Sequence, residues 1–127
     1  MTPDEITLII PRDRALYGVA HLVLGGLGSR LNLTIEHLED MQLALDAVLD
    51  RARVGEDVTI ALRVLDGTME TRIGPMTDGI RAELEAEVDE DVGLRRILDA
   101  VVDHVEVEPD ERGDWLKLTK TVDKGAG

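Results

Sequence analysis

The chain has 127 residues, a length typical of one domain, and 43% of them are hydrophobic, which is enough for a core without cross-links. It contains no cysteine, which excludes disulfides, thiolate metal sites and a cysteine nucleophile. Its formal net charge of −13 opposes binding to nucleic-acid phosphates or anionic lipids, because like charges repel. The acidic charge is compatible with a basic protein partner, and the alternative is an ordinary solvated surface.

The sequence carries no sign of export or membrane insertion. No apolar run approaches the roughly 18 residues that a membrane-spanning helix needs. Residues 1–10 contain two acidic residues and no basic one, whereas a secretory signal begins with positive charge. We therefore expect an intracellular, cytoplasmic protein.

The N-terminal part of the chain predicts a strand followed by a helix. Residues Glu5–Ile10 are rich in β-branched and other aliphatic side chains and stop at Pro11, which is typical of a strand. Between Ala15 and Leu31, apolar residues recur at the spacing of a helix. These residues are Leu16, Val19, Ala20, Val23, Leu27 and Leu31.

Three glycines lie inside this predicted helix: Gly25, Gly26 and Gly28. An interior glycine destabilises a helix by roughly 0.5–1 kcal/mol relative to alanine. We expect close approach by a neighbouring element or by a second chain to offset this cost, so the three glycines are a candidate contact surface. The alternative is a helix that bends or ends near Gly28.

The middle of the chain predicts a second helix and a β-hairpin. Thr34 is a suitable N-cap for a helix that begins at Ile35 and ends near Val54–Gly55, and whose apolar residues form one stripe. The stripe consists of Ile35, Leu38, Met41, Leu45, Val48, Leu49 and Ala52. The predicted hairpin comprises a strand, a turn and a strand: Asp57–Leu65, Asp66–Gly67 and Thr68–Ile73. We expect Gly74–Pro75 to end its second strand.

The C-terminal part predicts two helices and two strands. We expect Met76–Val88 to contain a short helix within a mostly solvated connector, because acidic residues crowd it. A helical pattern follows over Val92–His104, with acidic residues before it as expected at a helix N-terminus. The last two strands, His104–Glu108 and Trp115–Val122, surround a turn, and residues 123–127 form a tail.

The predicted elements follow the order β-α-α-β-β-α-α-β-β within a single domain of residues 1–127, whose core spans about 5–122. Helices and hairpins in this order predict an α+β sandwich. Its sheet is expected to be mainly antiparallel and to be covered by helices on one face.

Three stretches of the chain carry a resemblance to a known family. They are Tyr17–Leu31, Ile35–Ala52, with Leu38–Leu45 as its closest part, and Val92–Val107 followed by Leu116–Lys120. Their order and spacing resemble the histidine-kinase-like ATPase domain of the anti-sigma-factor serine kinases, which belongs to the GHKL group. The resemblance implies a two-layer α/β sandwich of the Bergerat type, a site for ATP and Mg²⁺, and a homodimer. It also implies a sigma factor or a STAS-type anti-anti-sigma protein as partner.

In this family a helical Glu activates the nucleophile or its water, and an Asn four residues later ligates Mg²⁺. The spacing matters because residues i and i+4 lie on one face of a helix. The resemblance places these two roles at Ala47 and Arg51. Alanine cannot accept a proton and arginine cannot ligate a cation, so we expect no catalytic residue and no metal ligand at either position.

The two other nucleotide motifs of the family are also incomplete here. An Asp-x-Gly motif, whose Asp reads the adenine amino group, would end at Gly74, but Thr71–Pro75 contains no Asp. Of the glycine-rich phosphate loop only Gly93 matches, and Glu90 and Asp91 before it would repel a triphosphate. We therefore expect a non-catalytic regulatory binding protein without a cofactor, similar to an anti-sigma factor that has lost its kinase activity.

Two alternatives stay open. A shift of one residue places Asp46 and Asp50 at the same spacing, and Asp78 would replace the adenine reader. With Gly74 and Gly93, these residues would bind ATP and Mg²⁺ in a serine/threonine protein kinase with a displaced site. The shift would turn both carboxylates about 100° away from the expected helix face. In the second alternative, a small sensor domain binds another ligand in the emptied pocket.

The remaining reactive residues suggest no further chemistry. His21, His37 and His104 lie on three separate predicted elements and lack the spacing of metal ligands. Ser29 is the only serine, and no base is aimed at it by sequence, so nucleophilic catalysis has no support. Trp115 is predicted to anchor the core or a sheet edge, with ligand stacking as the alternative.

Overall fold

The computed structural model describes residues 5–31, 33–52, 55–65, 67–76, 80–85 and 93–121. The strands are β1 Glu5–Pro11, β2 Asp57–Leu65, β3 Thr68–Met76, β4 His104–Asp110 and β5 Gly113–Thr121. The α-helices are α1 Tyr17–Leu31, α2 Ile35–Leu49, α3 Ile80–Glu85 and α4 Leu94–Val101, and a 3-10 turn at Arg14–Leu16 precedes α1. The described elements therefore confirm the predicted order of strands and helices.

The strands form one antiparallel sheet in the order β1-β2-β3-β5-β4. β1 pairs with β2 so that Ile10 faces Val58, and β4 pairs with β5 so that Val107 faces Leu116. β5 lies between β3 and β4, so β1 and β4 are the two edge strands. The predicted α+β class with an antiparallel sheet is confirmed.

Alternation along the strands divides the sheet into a buried face and an open face. On β2 and β3 the alternating buried residues are Val58, Ile60, Leu62, Met69, Thr71 and Ile73, whereas Val64, which alternation also predicts to face inward, is only partly buried. They share one core with inward side chains of β5 and of the helices. The largest helical contribution comes from α2, through Met41, Ala44, Leu45, Ala47, Val48 and Leu49. Since each large buried aliphatic side chain stabilises the fold by about 1.5–3 kcal/mol, this face holds the helices on the sheet.

The helices contact one another in a row. α1 contacts α2, α2 contacts α4, and α4 contacts β4. Near the β4 side, Lys120 of β5 donates to the carbonyl oxygen of Val101 at 2.8 Å and pairs with Asp40 of α2 at 3.2 Å. This lysine ties α2 and the end of α4 to the sheet.

β3 continues past the point where the sequence predicted its end. Gly74 and Pro75 are joined by a cis peptide bond and lie within the strand, which ends at Met76. The register of β3 with β5 shifts between Ile73 and Met76. The prediction that Gly74–Pro75 ends the strand is wrong, because this irregularity accommodates a proline that cannot donate to a regular ladder.

The apolar stripes predicted for α1 and α2 are only partly buried. In α1, Tyr17 and Leu24 are buried, whereas Val19 of the predicted stripe is 39% exposed. In α2, Ile35 is 72% exposed. Tyr17 and Leu24 are not part of the predicted apolar stripe, yet they pack inward. Helical spacing alone therefore did not determine which side of α1 faces the core.

The three glycines of α1 have different surroundings. A Cβ atom on Gly28 would lie 2.6 Å from Cδ2 of Leu38, so the expected close approach at this glycine is to α2 of the same chain. A Cβ atom on Gly25 or Gly26 would meet no atom of the described residues within 4 Å. α1 runs unbroken to Leu31, so the alternative of a helix that ends near Gly28 is wrong.

Candidate functional site

Side chains that precede and begin α1 converge on Asp50, the residue that follows α2. The hydroxyl of Tyr17 donates to Oδ1 of Asp50 at 2.8 Å, and Nη2 of Arg14 donates to Oδ2 at 3.2 Å. Nη2 of Arg12 lies 3.7 Å from Oδ1. Both oxygens of Asp50 are therefore engaged within the chain.

Arg12 also closes the C-terminal end of α2. Its Nε donates to the carbonyl oxygen of Leu49 and its Nη2 to that of Asp50, both at 3.0 Å. The last carbonyls of a helix lack partners within the helix and carry partial negative charge, so a guanidinium suits them. The side chain of Arg12 is only 16% exposed. This arginine anchors the segment between β1 and α1 to the end of α2.

The surroundings of Tyr17 oppose ionisation of its hydroxyl. Burial of the side chain and the hydrogen bond to Asp50 raise the pKa of Tyr17 from 10.0 to about 12. The negative charge of Asp50 adds to this shift, and the positive charges of Arg12 and Arg14 oppose it. Tyr17 therefore acts as a hydrogen-bond donor at neutral pH and not as a general base.

Asp46, one turn before Asp50, is also paired. Nε2 of His21 on α1 lies 2.8 Å from Oδ1 of Asp46. His21 therefore connects α1 to α2. Asp46 and Asp50 thus lie together on the side of α2 that faces α1, as their spacing requires. The structure brings together the two carboxylates of the displaced-site alternative, but each already contacts side chains of α1 or of the segment between β1 and α1.

The positions that the resemblance assigns to proton transfer and to Mg²⁺ carry no ligand group. Ala47 is buried in the core and is 7% exposed. Nη1 of Arg51 donates to the carbonyl oxygen of Ala47 at 3.0 Å. Because a helix turns about 100° per residue, Ala47 and Arg51 lie on a different side of α2 from Asp46 and Asp50.

The other residues predicted for a nucleotide site lie elsewhere. Gly74 packs beneath the indole of Trp115, since a Cβ atom on this glycine would lie 2.8 Å from Cδ2 of the ring. Gly93 is the N-cap of α4, and its carbonyl oxygen accepts from the backbone N–H of Ile97 at 3.1 Å. Asp78 lies outside the described residues, and so do Glu90 and Asp91, which are predicted to repel a triphosphate.

Neither a metal centre nor a membrane span is found in the part of the chain that the structure describes. There, no three His, Asp or Glu side chains are grouped so that they could hold a metal ion. Within the same residues, no helix is both long enough and apolar enough to cross a bilayer.

The open face of the sheet carries a polar depression of about 230 Å³. Its charged lining residues are Glu5, Arg63, Glu70, Arg72, Glu108 and Lys117. Most of these residues form ion pairs between strands. Arg63 of β2 lies 3.7 Å from Glu70 of β3, and Arg72 of β3 lies 3.0 Å from Glu108 of β4, so that this second pair spans β5. Because the charges alternate and compensate, the depression does not select a ligand of one sign.

Trp115 lies beside this depression and contacts several residues on the open face of the sheet. The guanidinium carbon of Arg72 is 5.5 Å from the ring centroid, and Nε1 of Trp115 donates to Asp110 at 2.9 Å. The indole also covers Gly74. Trp115 thus contacts groups on the open face of the sheet, and the prediction that it anchors the core or a sheet edge is wrong, because β5 is an inner strand and the indole is only partly buried.

Comparison with known proteins does not extend this picture. No protein-family model matches the chain, and no curated protein matches its sequence. The contacts described above and the resemblance in the residues are therefore the basis for any proposal about function.

Sequence analysis missed Arg12 and Lys120, the two cations that hold the helices in place. Arg12 bonds to residues 37 and 38 positions away, and Lys120 bonds to a carbonyl 19 positions away. The only local signal was a basic residue directly after the strand-ending Pro11. Such a position does not reveal a partner so distant along the chain.

Proposed function

We propose that the chain is a non-catalytic regulatory binding protein with a Bergerat-type sandwich, resembling an anti-sigma factor. It acts by contacting a sigma factor or a STAS-type anti-anti-sigma protein, and it does so without ATP. One observation supports this more than any other: the carboxylates nearest to the expected nucleotide position are bonded to other side chains of the same chain.

The cost of releasing these carboxylates argues against a displaced Mg²⁺ site. Asp50 would have to leave Tyr17 and Arg14, and Asp46 would have to leave His21. A hydrogen bond to a charged group contributes about 1.5–3 kcal/mol, so several such losses would oppose metal binding. Ala47 and Arg51 offer no replacement, since Mg²⁺ requires oxygen ligands in near-octahedral geometry.

The outer side of the helix layer supports a role in protein binding. Leu22, Ile35 and Leu43 are 77%, 72% and 52% exposed on α1 and α2. Glu36 and Glu39 are exposed beside them on α2. Apolar residues within a polar surround are typical of protein-interaction sites, and the acidic residues favour a partner with basic residues.

A titration with a non-hydrolysable ATP analogue and Mg²⁺ tests the absence of nucleotide binding. We expect no saturable binding by the wild type. Micromolar binding that is lost in Asp50→Asn but kept in Glu39→Gln, an exposed acidic residue on the same helix, would overturn the proposal. Circular dichroism of both variants shows whether they are folded.

Affinity purification from the native host with mass spectrometry tests the partner. We expect a sigma factor or a STAS-type protein to be enriched by the wild type and lost with Leu43→Lys. Glu106→Gln, on exposed β4, changes the net charge by the same amount and should retain the partner. If neither kind of protein is enriched, the regulatory function proposed here fails.

A further inference from the structure

The two edges of the sheet differ in charge. Among the described residues, no strand pairs with the outer side of β1 or of β4. β4 carries three acidic residues and a proline, which are residues that protect an edge strand from pairing. These are Glu106, Glu108, Asp110 and Pro109. β1 has no charged residue over Ile6–Pro11, so it is the edge that permits pairing with a further strand.

The outer side of β1 presents backbone groups that pair with no described strand. The N–H of Arg12 donates to the carbonyl oxygen of Glu56 at 2.8 Å, and the carbonyl oxygen of Arg12 accepts from the N–H of Gly55 at 3.1 Å. Both backbone groups of Arg12 therefore face the β2 side. Alternate residues of a strand direct these groups to the same side, so the even-numbered residues of β1 bond to β2. Thr7 and Ile9 direct their N–H and C=O groups outward.

The side chains of β1 favour an incoming strand that is apolar on one face and basic on the other. Residues opposite Ile6 and Leu8 would point toward the core, against which these two side chains pack while only partly buried. A residue opposite Glu5 would point toward the open face, where Glu5 is exposed. Because opposite charges on facing residues of a sheet attract, Lys or Arg suits this position.

We propose that β1 binds an extended, basic segment of a partner protein as an additional antiparallel strand of the sheet. Thr7 and Ile9 exchange backbone hydrogen bonds with the segment, apolar residues of the segment cover Ile6 and Leu8, and a basic residue pairs with Glu5. This binding goes beyond the proposed function, because it uses the backbone of β1 and not the exposed side chains of the helices. Strand addition of this kind takes its affinity from main-chain hydrogen bonds and its specificity from alternate side chains.

The charge of the chain favours such a partner over a second copy. With a net charge of −13, two copies repel each other, whereas a basic segment is attracted. β1 also contains no basic residue that could face Glu5 of a second copy. The partner is therefore a different protein, with alternating apolar residues and with Lys or Arg on the other face of its strand.

A capped peptide of the sequence Thr-Val-Thr-Val-Arg-Val-Lys tests the proposal on the full chain. In an antiparallel pair its central Val lies opposite Leu8 and its Lys opposite Glu5. We expect saturating peptide to slow hydrogen exchange of the Thr7 and Ile9 amides by about tenfold or more, as measured by NMR. The amide of Leu8, which already bonds to β2, should change much less. Unchanged exchange at Thr7 and Ile9 would overturn the proposal.

Two methylated peptides provide a matched pair that needs no protein variant. A methyl group on the backbone nitrogen of the second Thr, which lies opposite Ile9, removes a donor to β1 and obstructs the pairing. The same methyl group on the central Val lies on the side that faces away from β1. The first peptide should bind about tenfold more weakly or worse, and the second about as well as the parent. Equal affinities of the two would show that the peptide does not pair with β1.

Charge reversal on each edge separates the local pair from general attraction. Glu5→Lys and Glu106→Lys change the net charge equally, and both glutamates are exposed. We expect Glu5→Lys to raise the peptide dissociation constant by about threefold or more, and Glu106→Lys to change it much less. Equal effects would contradict pairing at Glu5.

The free protein supplies the last control. If exchange at Thr7 and Ile9 slows as the concentration of the protein alone rises, a second copy covers the edge and the proposal is wrong. None of these measurements uses a sigma factor or a STAS-type protein, so this proposal and the proposed function can fail independently.

Discussion

The hydroxyl of Tyr17, in the first turn of α1, donates a 2.8 Å hydrogen bond to Asp50, directly after the last turn of α2. The two residues are 33 positions apart in the chain. α1 and α2 are antiparallel and are joined by a short connection at one end. The contact between Tyr17 and Asp50 links the two helices at the other end. Arg12 and Arg14 reach the same carboxylate, so the end of α2 is held by the β1–α1 segment.

Alkaline titration of Tyr17 should destabilise the protein. The raised pKa means that the folded state binds the phenolic proton more tightly than the unfolded chain does. Stability from this group is complete below the unfolded pKa of 10.0 and is lost as the pH rises toward the folded pKa of about 12. Tyr17 is the only tyrosine, so the ultraviolet absorbance of tyrosinate measures its pKa without interference from another residue.

Tyr17→Phe is the control for this titration. It should cost about 1 kcal/mol at neutral pH, the usual net worth of one hydrogen bond. Its unfolding free energy should then depend less on pH in the alkaline range than that of the wild type. A tyrosinate titration of the folded protein centred near 10 would contradict the contact with Asp50.

Loss of the Arg12 side chain should destabilise the protein far more than loss of its neighbour Arg14. Arg12→Met removes the donors to the carbonyls of Leu49 and Asp50 in a mostly buried position, and should cost about 1–3 kcal/mol in urea unfolding. Arg14 is 73% exposed, and an exposed ion pair contributes little. Arg14→Met should therefore change stability by about 0.5 kcal/mol or less. Equal effects of the two substitutions would show that Arg12 does not cap α2.

The glycines of α1 should respond differently to alanine. Gly25→Ala meets open space in an interior helical position, so we expect it to raise the unfolding free energy by about 0.5–1 kcal/mol. Gly28→Ala forces Leu38 to move, because the new methyl group would lie 2.6 Å from its Cδ2 atom. It should be less stable than Gly25→Ala by about 1 kcal/mol or more. Thermal unfolding of the two variants, followed by circular dichroism, checks this order.

Gly74→Ala should weaken the centre of the sheet. A methyl group at Gly74 would lie 2.8 Å from Cδ2 and 3.0 Å from Cγ of Trp115. The indole cannot yield easily, because Asp110 and Arg72 hold it. We expect a loss of about 1–3 kcal/mol in urea unfolding. The double variant Gly74→Ala/Trp115→Leu tests whether the indole is the obstacle. If it is, Gly74→Ala should lower the unfolding free energy less in the Trp115→Leu background than in the wild type.

Local signals in the sequence predicted the elements but not the contacts between them. Alternation placed β2 at Asp57–Leu65, as observed, and Thr34 caps α2 through its Oγ1, which accepts from the N–H of His37 at 3.0 Å. Both features depend only on neighbouring residues. The continuation of β3 through Pro75 depends instead on how β5 and Trp115 fit against it, and the engagement of Asp50 depends on residues of the β1–α1 segment. Such long-range contacts leave no periodic signal in the sequence.

The position of Trp115 determines which binding events the intrinsic fluorescence of this protein can report. It is the only tryptophan, and its indole lies on the open face of the sheet between Gly74, Arg72 and Asp110. The helix layer, with the exposed Leu22 and Leu43, lies on the other side of the core. The protein therefore carries an intrinsic fluorescent label on one face only. Unchanged tryptophan fluorescence during a titration does not exclude a ligand bound to the helices. A change in fluorescence indicates binding or rearrangement at the open face of the sheet.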